Sequence, residues 1–454
     1  MQDSGKLDFK SVSEVNRELT FGTWRKQSSW KPLVVTGAEG VYFFDAEGKR
    51  YLDFSSQLMC SNLGHGNKRV VEAIRAQAEK LAYINPAYAT EVRAELALRL
   101  REVLPQGLVK YFFGTSGTEA NEAAVKMIRM YYSREGKTKI VSRFNSYHGS
   151  TASSINLTGD FRRVAVDAQM SLPGFVRIPD PYCYRCPFGL KYPECGVACA
   201  EYLEYVIRNE GNVGGVVVEP VTGTNGVIVP PKEYLPRIRE ITKEHDVFLV
   251  ADEVMSGWGR TGEWFAVDNW GVKPDILTTA KGITAAYVPL SLTAVNEELA
   301  DYFEDHYFAH GHTYEAHPLT LAAGVAAIDE YRERDLIRKS KELGVYLGKR
   351  LSELGERHPS VGDVRGIGLF WAVEIVRDRG KKTPFNTYED KLEGRPLMTD
   401  RVASQMMKNG VYINSWVSHF VVAPPLIISR EEIDRAVEVF DDSLKVADQE
   451  VTHA

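Results

Sequence analysis

From about residue 65 to residue 320, short apolar runs alternate with helical stretches, and no other feature of the chain narrows its fold as far. Helical periodicity covers 70–82, 92–103, 119–135 and 234–245, between β-type runs such as Val216-Val217-Val218 and Val247-Phe248-Leu249-Val250-Ala251. Alternation on this scale builds βαβ units around a mostly parallel sheet. The two ends read differently. Residues 40–54 hold a hairpin pattern around the turn Asp45-Ala46-Glu47-Gly48. The region after 320 carries helices at 319–332, 336–357 and 430–448, with strands at 370–376 and 420–423. The charged, turn-rich stretch 377–397 reads as a solvated loop. The expected organisation is an N-terminal segment of a small domain at 1–64, a large α/β domain at 65–320 and a C-terminal small domain at 321–454.

Open α/β sheets bind ligands beyond the carboxyl ends of their strands, and several of these runs end in chemically able residues. The run from Val247 delivers Asp252 and Glu253, and Val216-Val217-Val218 delivers Glu219. Asp275-Ile276-Leu277-Thr278-Thr279 is followed by Ala280-Lys281-Gly282. A lysine placed just past a buried strand is desolvated, which favours the neutral amine that Schiff-base chemistry needs. Gly114-Thr115-Ser116-Gly117-Thr118 joins a strand to a helix, so free N–H groups and hydroxyls gather at a helix N-terminus suited to a phosphate. Neither GxGxxG nor GxxxxGK[ST] occurs there, which removes the dinucleotide and P-loop readings. Tyr147, in Ser146-Tyr147-His148-Gly149-Ser150, stands where it can stack on a flat heteroaromatic ring.

GTSGTEANEAA, SYHGST, VVEPV, VADEVMSGWGRTG, the lysine of TTAKG, HGHTYEAHPLTLAA and VRGIGLFWAVEI follow one another along the chain. This ordered set resembles the class III (ω) aminotransferases, pyridoxal-phosphate enzymes of fold type I, from about residue 21 to 444. The resemblance implies a large cofactor domain with a mostly parallel sheet and a smaller α+β domain built from the chain ends. It implies that Lys281 holds pyridoxal 5'-phosphate as a Schiff base and shuttles the reaction's proton, and that Asp252 pairs with the pyridine nitrogen. Ser116, Gly117 and Thr118 would form the phosphate cup, Tyr147 and Val254 would cover the two ring faces, and Glu219 would lie near the phenolic oxygen. Thr313 would reach the phosphate of a partner subunit, giving a homodimer with composite active sites, or a tetramer built from such dimers.

Many ω-aminotransferases bind the acceptor's carboxylate with an arginine shortly before a Pro-Pro near the C-terminus. Here the run is Gly410 to Pro425, and Asn414 occupies the arginine's place; a neutral amide cannot make the bidentate pair of a guanidinium. Either another cation faces the acid, or the pocket relies on amides together with Trp416 or His419. Gln57 and Met59 are further candidates for the substrate pocket. FGTWRKQ, the cysteine segment and WVSHFVVAPPL are most similar to taurine or ω-amino-acid aminotransferases.

The expected activity is therefore ping-pong transfer of an amino group from an amine or ω-amino acid (taurine, β-alanine or similar) to pyruvate or 2-oxoglutarate. A racemase, aminomutase or decarboxylase of the same fold uses the same lysine, aspartate and phosphate cup. A non-catalytic PLP-binding module is the reading from another class, and the intact Lys281, Asp252 and Tyr147 weigh against it.

That chemistry needs no metal. Cys183, Cys186, Cys195 and Cys199 have a spacing that suits a tetrahedral structural site, and reduced or disulfide-linked structural thiols fit it as well. His310, His312 and His317 read as structural. A formal charge of −6 gives no basic footprint for nucleic acid. No apolar run reaches membrane-span length, and no signal-peptide pattern opens the chain, so the expected location is the cytoplasm.

Overall fold

The computed structural model describes residues 8–165 and 171–452. Seven strands form the central sheet: β1 (Leu108–Gly114), β2 (Lys139–Arg143), β3 (Phe175–Ile178), β4 (Val213–Val218), β5 (Phe248–Asp252), β6 (Ile276–Thr279) and β7 (Ser291–Asn296). Their order across the sheet is β1-β7-β6-β5-β4-β2-β3. All neighbours are parallel except β7, which runs antiparallel to both β1 and β6. The carboxyl ends of β1, β2, β4, β5 and β6 consequently share one edge of the sheet.

Sequence explains why these runs are strands. β4 and β5 are buried along their whole length, as valine-rich strands covered by helices on both faces must be. The helix Gly117–Tyr131 lies over one face with its small residues Ala120, Ala123 and Ala124 turned inward. Helices Ala198–Glu210 and Tyr234–Glu244 bury Leu203, Ile207, Leu235 and Ile238 in a second cluster.

The two ends of the chain form the smaller part together. Val35–Glu39, Tyr42–Asp45 and Arg50–Asp53 make an antiparallel meander, and Val411–Tyr412 joins it in parallel through the pair Val411 and Leu52. Strands Val361–Ile367, Phe370–Asp378, His419–Val422 and Asn414–Ser415 make a further sheet. Residues 377–397 are not the solvated loop their composition suggests. Thr383–Pro384 pairs with the strand Phe370–Asp378, and a capping box between Thr387 and Asp390 starts the helix Tyr388–Glu393. Phe385 is buried, and Tyr388 stacks on Phe161 with ring centroids 5.4 Å apart. Two aromatic anchors outweigh the polar residues around them.

Candidate active site

Two joined cavities open at the shared edge of the central sheet. The inner one, of about 170 Å³, is walled by residues that follow strand ends: Gly117 and Thr118 after β1, Tyr147 and His148 after β2, Glu219 after β4, Asp252 and Val254 at β5, and Lys281 after β6. The outer one, of about 990 Å³, shares Tyr147, Thr224, Met255 and Lys281 with it and extends toward Met59, Asn414 and Trp416.

The Asp252 side chain is held by three contacts in the inner cavity. Its Oδ2 accepts from Asn121 Nδ2 at 2.8 Å and lies 2.7 Å from His148 Nδ1, while Oδ1 accepts from the Val254 N–H at 3.0 Å. Asn121 is fixed in turn by Thr278 Oγ1, which donates to its Oδ1 at 2.8 Å. Glu219 accepts from the Tyr147 N–H at 3.0 Å and the Gly223 N–H at 2.7 Å, and burial raises its pKa. Lys281 sits at φ +47°. Desolvation lowers its pKa, while Cys60, Asp252 and Glu219 push the other way and Arg162 adds to the lowering. Its Nζ makes no hydrogen bond among the described residues, which leaves it aimed at the cavity.

Close approach is built in beside the helix Gly117–Tyr131. A Cβ at Gly117 would lie 2.8 Å from Val254 Cγ1, and Gly149, at φ +138°, would bring one to 2.7 Å from Thr118 Oγ1. Ser116 is the N-cap, its Oγ accepting from the Glu119 N–H at 3.2 Å. The first-turn N–H groups of Gly117 and Thr118, which line the inner cavity, lack intrahelical partners, an arrangement suited to an anion.

Of the remaining expected residues, Met59, Asn414 and Trp416 line the outer cavity. Gln57 turns away from it: at φ +58° its amide Nε2 donates to Asp53 Oδ2 at 2.9 Å. His419 also turns away; its Nε2 meets the Thr224 carbonyl at 2.8 Å, and burial pushes its pKa down to about 4. Thr313 is exposed and lines neither cavity of its own chain, with its carbonyl accepting from Tyr83 Oη at 3.0 Å.

Three residues that sequence reasoning passed over belong here. Asn121 lies one helical turn beyond Gly117, a spacing that could have marked it. His148 was visible inside SYHGS without a role. Arg162 gave no signal, because Asp160-Phe161-Arg162-Arg163 reads as an ordinary charged turn.

Cys183, Cys186, Cys195 and Cys199 are free thiols around one small space. No three of them bring their sulfurs within 4.8 Å of one another; among the described residues that spacing is met only by Glu204, Glu244 and His245. Glu204 and Glu244 are already paired with Arg208 and Arg237, and His245 with Glu204. His310 packs on Phe112 and His317 on Tyr83.

The Aminotransferase class-III family model matches residues 24–444. The chain belongs to the class III aminotransferases. Among members of this family, the putrescine–pyruvate aminotransferase of Pseudomonas aeruginosa is 37% identical over 95% of this chain and 94% of its own. A leucine/methionine racemase of Thermococcus litoralis is 34% identical over 92% and 91%. The solved structure of a taurine:2-oxoglutarate aminotransferase from Bifidobacterium kashiwanohense, in complex with PLP and glutamate, superposes with a TM-score of 0.91 at 35% identity, covering 98% of this chain and all (100%) of that one. The fold is that of the PLP fold type I transaminases. Class III aminotransferases use pyridoxal 5'-phosphate, and the inner cavity fits it: a helix N-terminus with open N–H groups, a glycine-lined cradle, a carboxylate held by three donors and an unbonded lysine amine. Among the described residues, no helix is long and apolar enough to cross a membrane.

Proposed function

We propose that this class III aminotransferase takes the amino group from a primary amine or ω-amino acid, such as taurine or β-alanine, and delivers it to pyruvate or 2-oxoglutarate in a ping-pong cycle. The single observation that carries the reading is the meeting of Lys281 Nζ, unbonded, with the fully bonded Asp252 in a cavity that opens into a second one. Pyridoxal 5'-phosphate, when bound, supplies an aldehyde that condenses with amines and a ring that accepts electrons.

The chain's own groups do the rest. Lys281 Nζ would hold the cofactor through its aldehyde carbon and, as a free amine, would carry the proton between the substrate carbon and that aldehyde carbon. Asp252 holds a proton on the ring nitrogen, and Asn121 and His148 hold Asp252 in place. Gly117 and Thr118 bind the phosphate with backbone N–H groups, with Ser116 orienting that turn as its cap. Tyr147 and Val254 would enclose the ring, and Glu219 would lie near the phenolic oxygen. Thr313 lies away from its own cavities, which supports a homodimer in which each copy completes the other's phosphate site.

The racemase relative at 34% identity favours one second reading, since inversion needs the same lysine and carboxylate. Absorbance titration separates the two. In the transaminase reading a donor bleaches the cofactor's resting band and pyruvate or 2-oxoglutarate restores it; inversion of an amino acid with no oxo acid consumed would instead establish the racemase.

A further inference from the structure

With Asn414 at the place where the resemblance to ω-aminotransferases implies an arginine, the acid end of a substrate needs another cation, and the outer cavity contains one that is built in. Arg162 follows Asp160, which caps the short helix Phe161–Val164 by accepting from the Arg162 N–H at 2.9 Å. The guanidinium is buried, with a side-chain exposure of 5%, and its Nε donates to Asp160 Oδ2 at 2.9 Å; Nη2 donates to the same carboxylate. Three aromatic rings surround it: Tyr147 at 3.7 Å, Trp416 at 4.9 Å and Trp24 at 5.5 Å from the guanidinium carbon. Among the described residues nothing hydrogen-bonds to Nη1, and Arg162 lines the outer cavity together with Lys281.

We infer that Arg162 is a specificity-determining residue that binds the carboxylate or sulfonate of an amino donor, and the carboxylate of the oxo acid, through Nη1. The assignment rests on the transaminase reading above. Asp160 and the three rings fix the plane of the fork before substrate arrives, so little side-chain freedom is lost on binding. Pairing with Asp160 offsets part of the cost of burying the cation but leaves three N–H groups, two of them on Nη1. Charge around the cavity agrees. Arg25, Lys49, Lys391 and Lys408 stand along the same walls against a single acid among the described residues, Asp400, a field that gathers anions and repels diamines. These outer lysines and Arg25 are solvated and steer; Arg162 is desolvated and discriminates.

The substrate class is thus an amine with a distant acid group. The test compares β-alanine and taurine with 1-phenylethylamine, which has no acid, on the PLP-loaded full chain and its Arg162→Gln and Arg162→Lys variants. In Arg162→Gln, kcat/KM for both acids falls about 10- to 100-fold, chiefly through KM, as expected for a lost charge-assisted pair, while 1-phenylethylamine changes less than about 3-fold. Arg162→Lys keeps the charge without the fork and loses less, again only with the acids, and it serves in place of the Gln variant should that variant fail to fold. Butyrate, an acid with no amine, gives a readout independent of turnover: its Kd, followed by perturbation of the cofactor band, weakens by a similar factor in Arg162→Gln. Equal losses for all three donors, or unchanged butyrate binding, overturn the assignment of Arg162; butyrate binding that depends on Arg162 without any amino transfer sinks the transaminase reading alone.

Discussion

In the inner cavity both oxygens of Asp252 are held by protein donors that sit on the helix over the sheet or just past strand ends, whereas in the outer cavity Asn414, Lys391 and Lys49 come from separate segments. The inner walls come from five strand ends within one sheet, between Gly114 and Lys281. The outer walls come from Trp24, Met59, Arg162, Thr224, Lys391 and Trp416, drawn from both ends of the chain and from loops between. A preorganised cavity suits chemistry that never varies, and a composite one suits a substrate that differs from relative to relative.

The hardest test of this contrast is Lys281→Ala. Losing the amine that both anchors and shuttles should lower turnover by at least about 10⁴-fold, measured by single-turnover amino transfer, while thermal stability stays near that of the parent. A variant retaining full activity would end the assignment.

Glu374→Gln asks whether the outer cavity is held from behind. Glu374, 1% exposed, accepts from Arg185 Nε at 2.7 Å, from Arg365 Nη1 at 2.9 Å and from the Tyr182 hydroxyl; Arg365 Nε in turn donates to the Gly226 carbonyl at 2.7 Å. Burial alone would raise the Glu374 pKa, but Arg365 and Arg185 outweigh it and hold the carboxyl below its ordinary value. Removing that charge leaves two arginines facing each other, and urea unfolding should show a loss of about 3–5 kcal/mol. Because the loop at Thr224 and Asn225 rests on this network, KM for the donor should rise before cofactor affinity falls.

Asp252→Asn sharpens the inner side. The isosteric amide keeps the Val254 contact but removes the charge, so kcat should fall about 10²- to 10³-fold with the cofactor still bound, read by turnover and by the retained cofactor absorbance.

The smallest expected effect concerns His419. The unfolded chain protonates this ring near its ordinary value of 6.5, while the folded ring resists until about pH 4. The unfolded state therefore binds more protons in that window, and stability is complete above about pH 6.5 and declines as pH falls toward 4, by about 2–3 kcal/mol at pH 4.5. Comparing urea midpoints at pH 7.5 and 4.5 for the parent and His419→Gln should show that share of the decline missing from the variant.

Legibility in the sequence follows the same division. β5 and the lysine after β6 could be read because an apolar run ending in a charged residue is a local pattern. The helices Leu336–Arg357 and Arg430–Asp448 could be read because their apolar stripe repeats without interruption. The helix Tyr388–Glu393 escaped notice, since two anchoring aromatics among charged residues have no period to detect. Gln57 misled for a different reason. It lies next to pocket residues in sequence, but a left-handed backbone at Ser56 and Gln57 rotates its amide onto Asp53. Arg162 becomes recognisable only when the fold brings Trp24 and Trp416 to it from opposite ends of the chain.

The antiparallel strand β7 has a consequence for the order of assembly. Among the described residues β1 has no partner in the sheet other than β7, so Gly114 must wait for Ser291, its register partner, before the strand that leads into the turn at residues 115–118 is fixed. Closing so long a loop is entropically slow, and no pairing nearer in sequence can replace it. During synthesis the stretch that starts this turn is made early but docks into the sheet late, only after the strand carrying Lys281 to the same edge has also emerged. Competence to take up the cofactor is on this account a late event in folding, reached when the sheet closes around β7 rather than when the binding residues are first made.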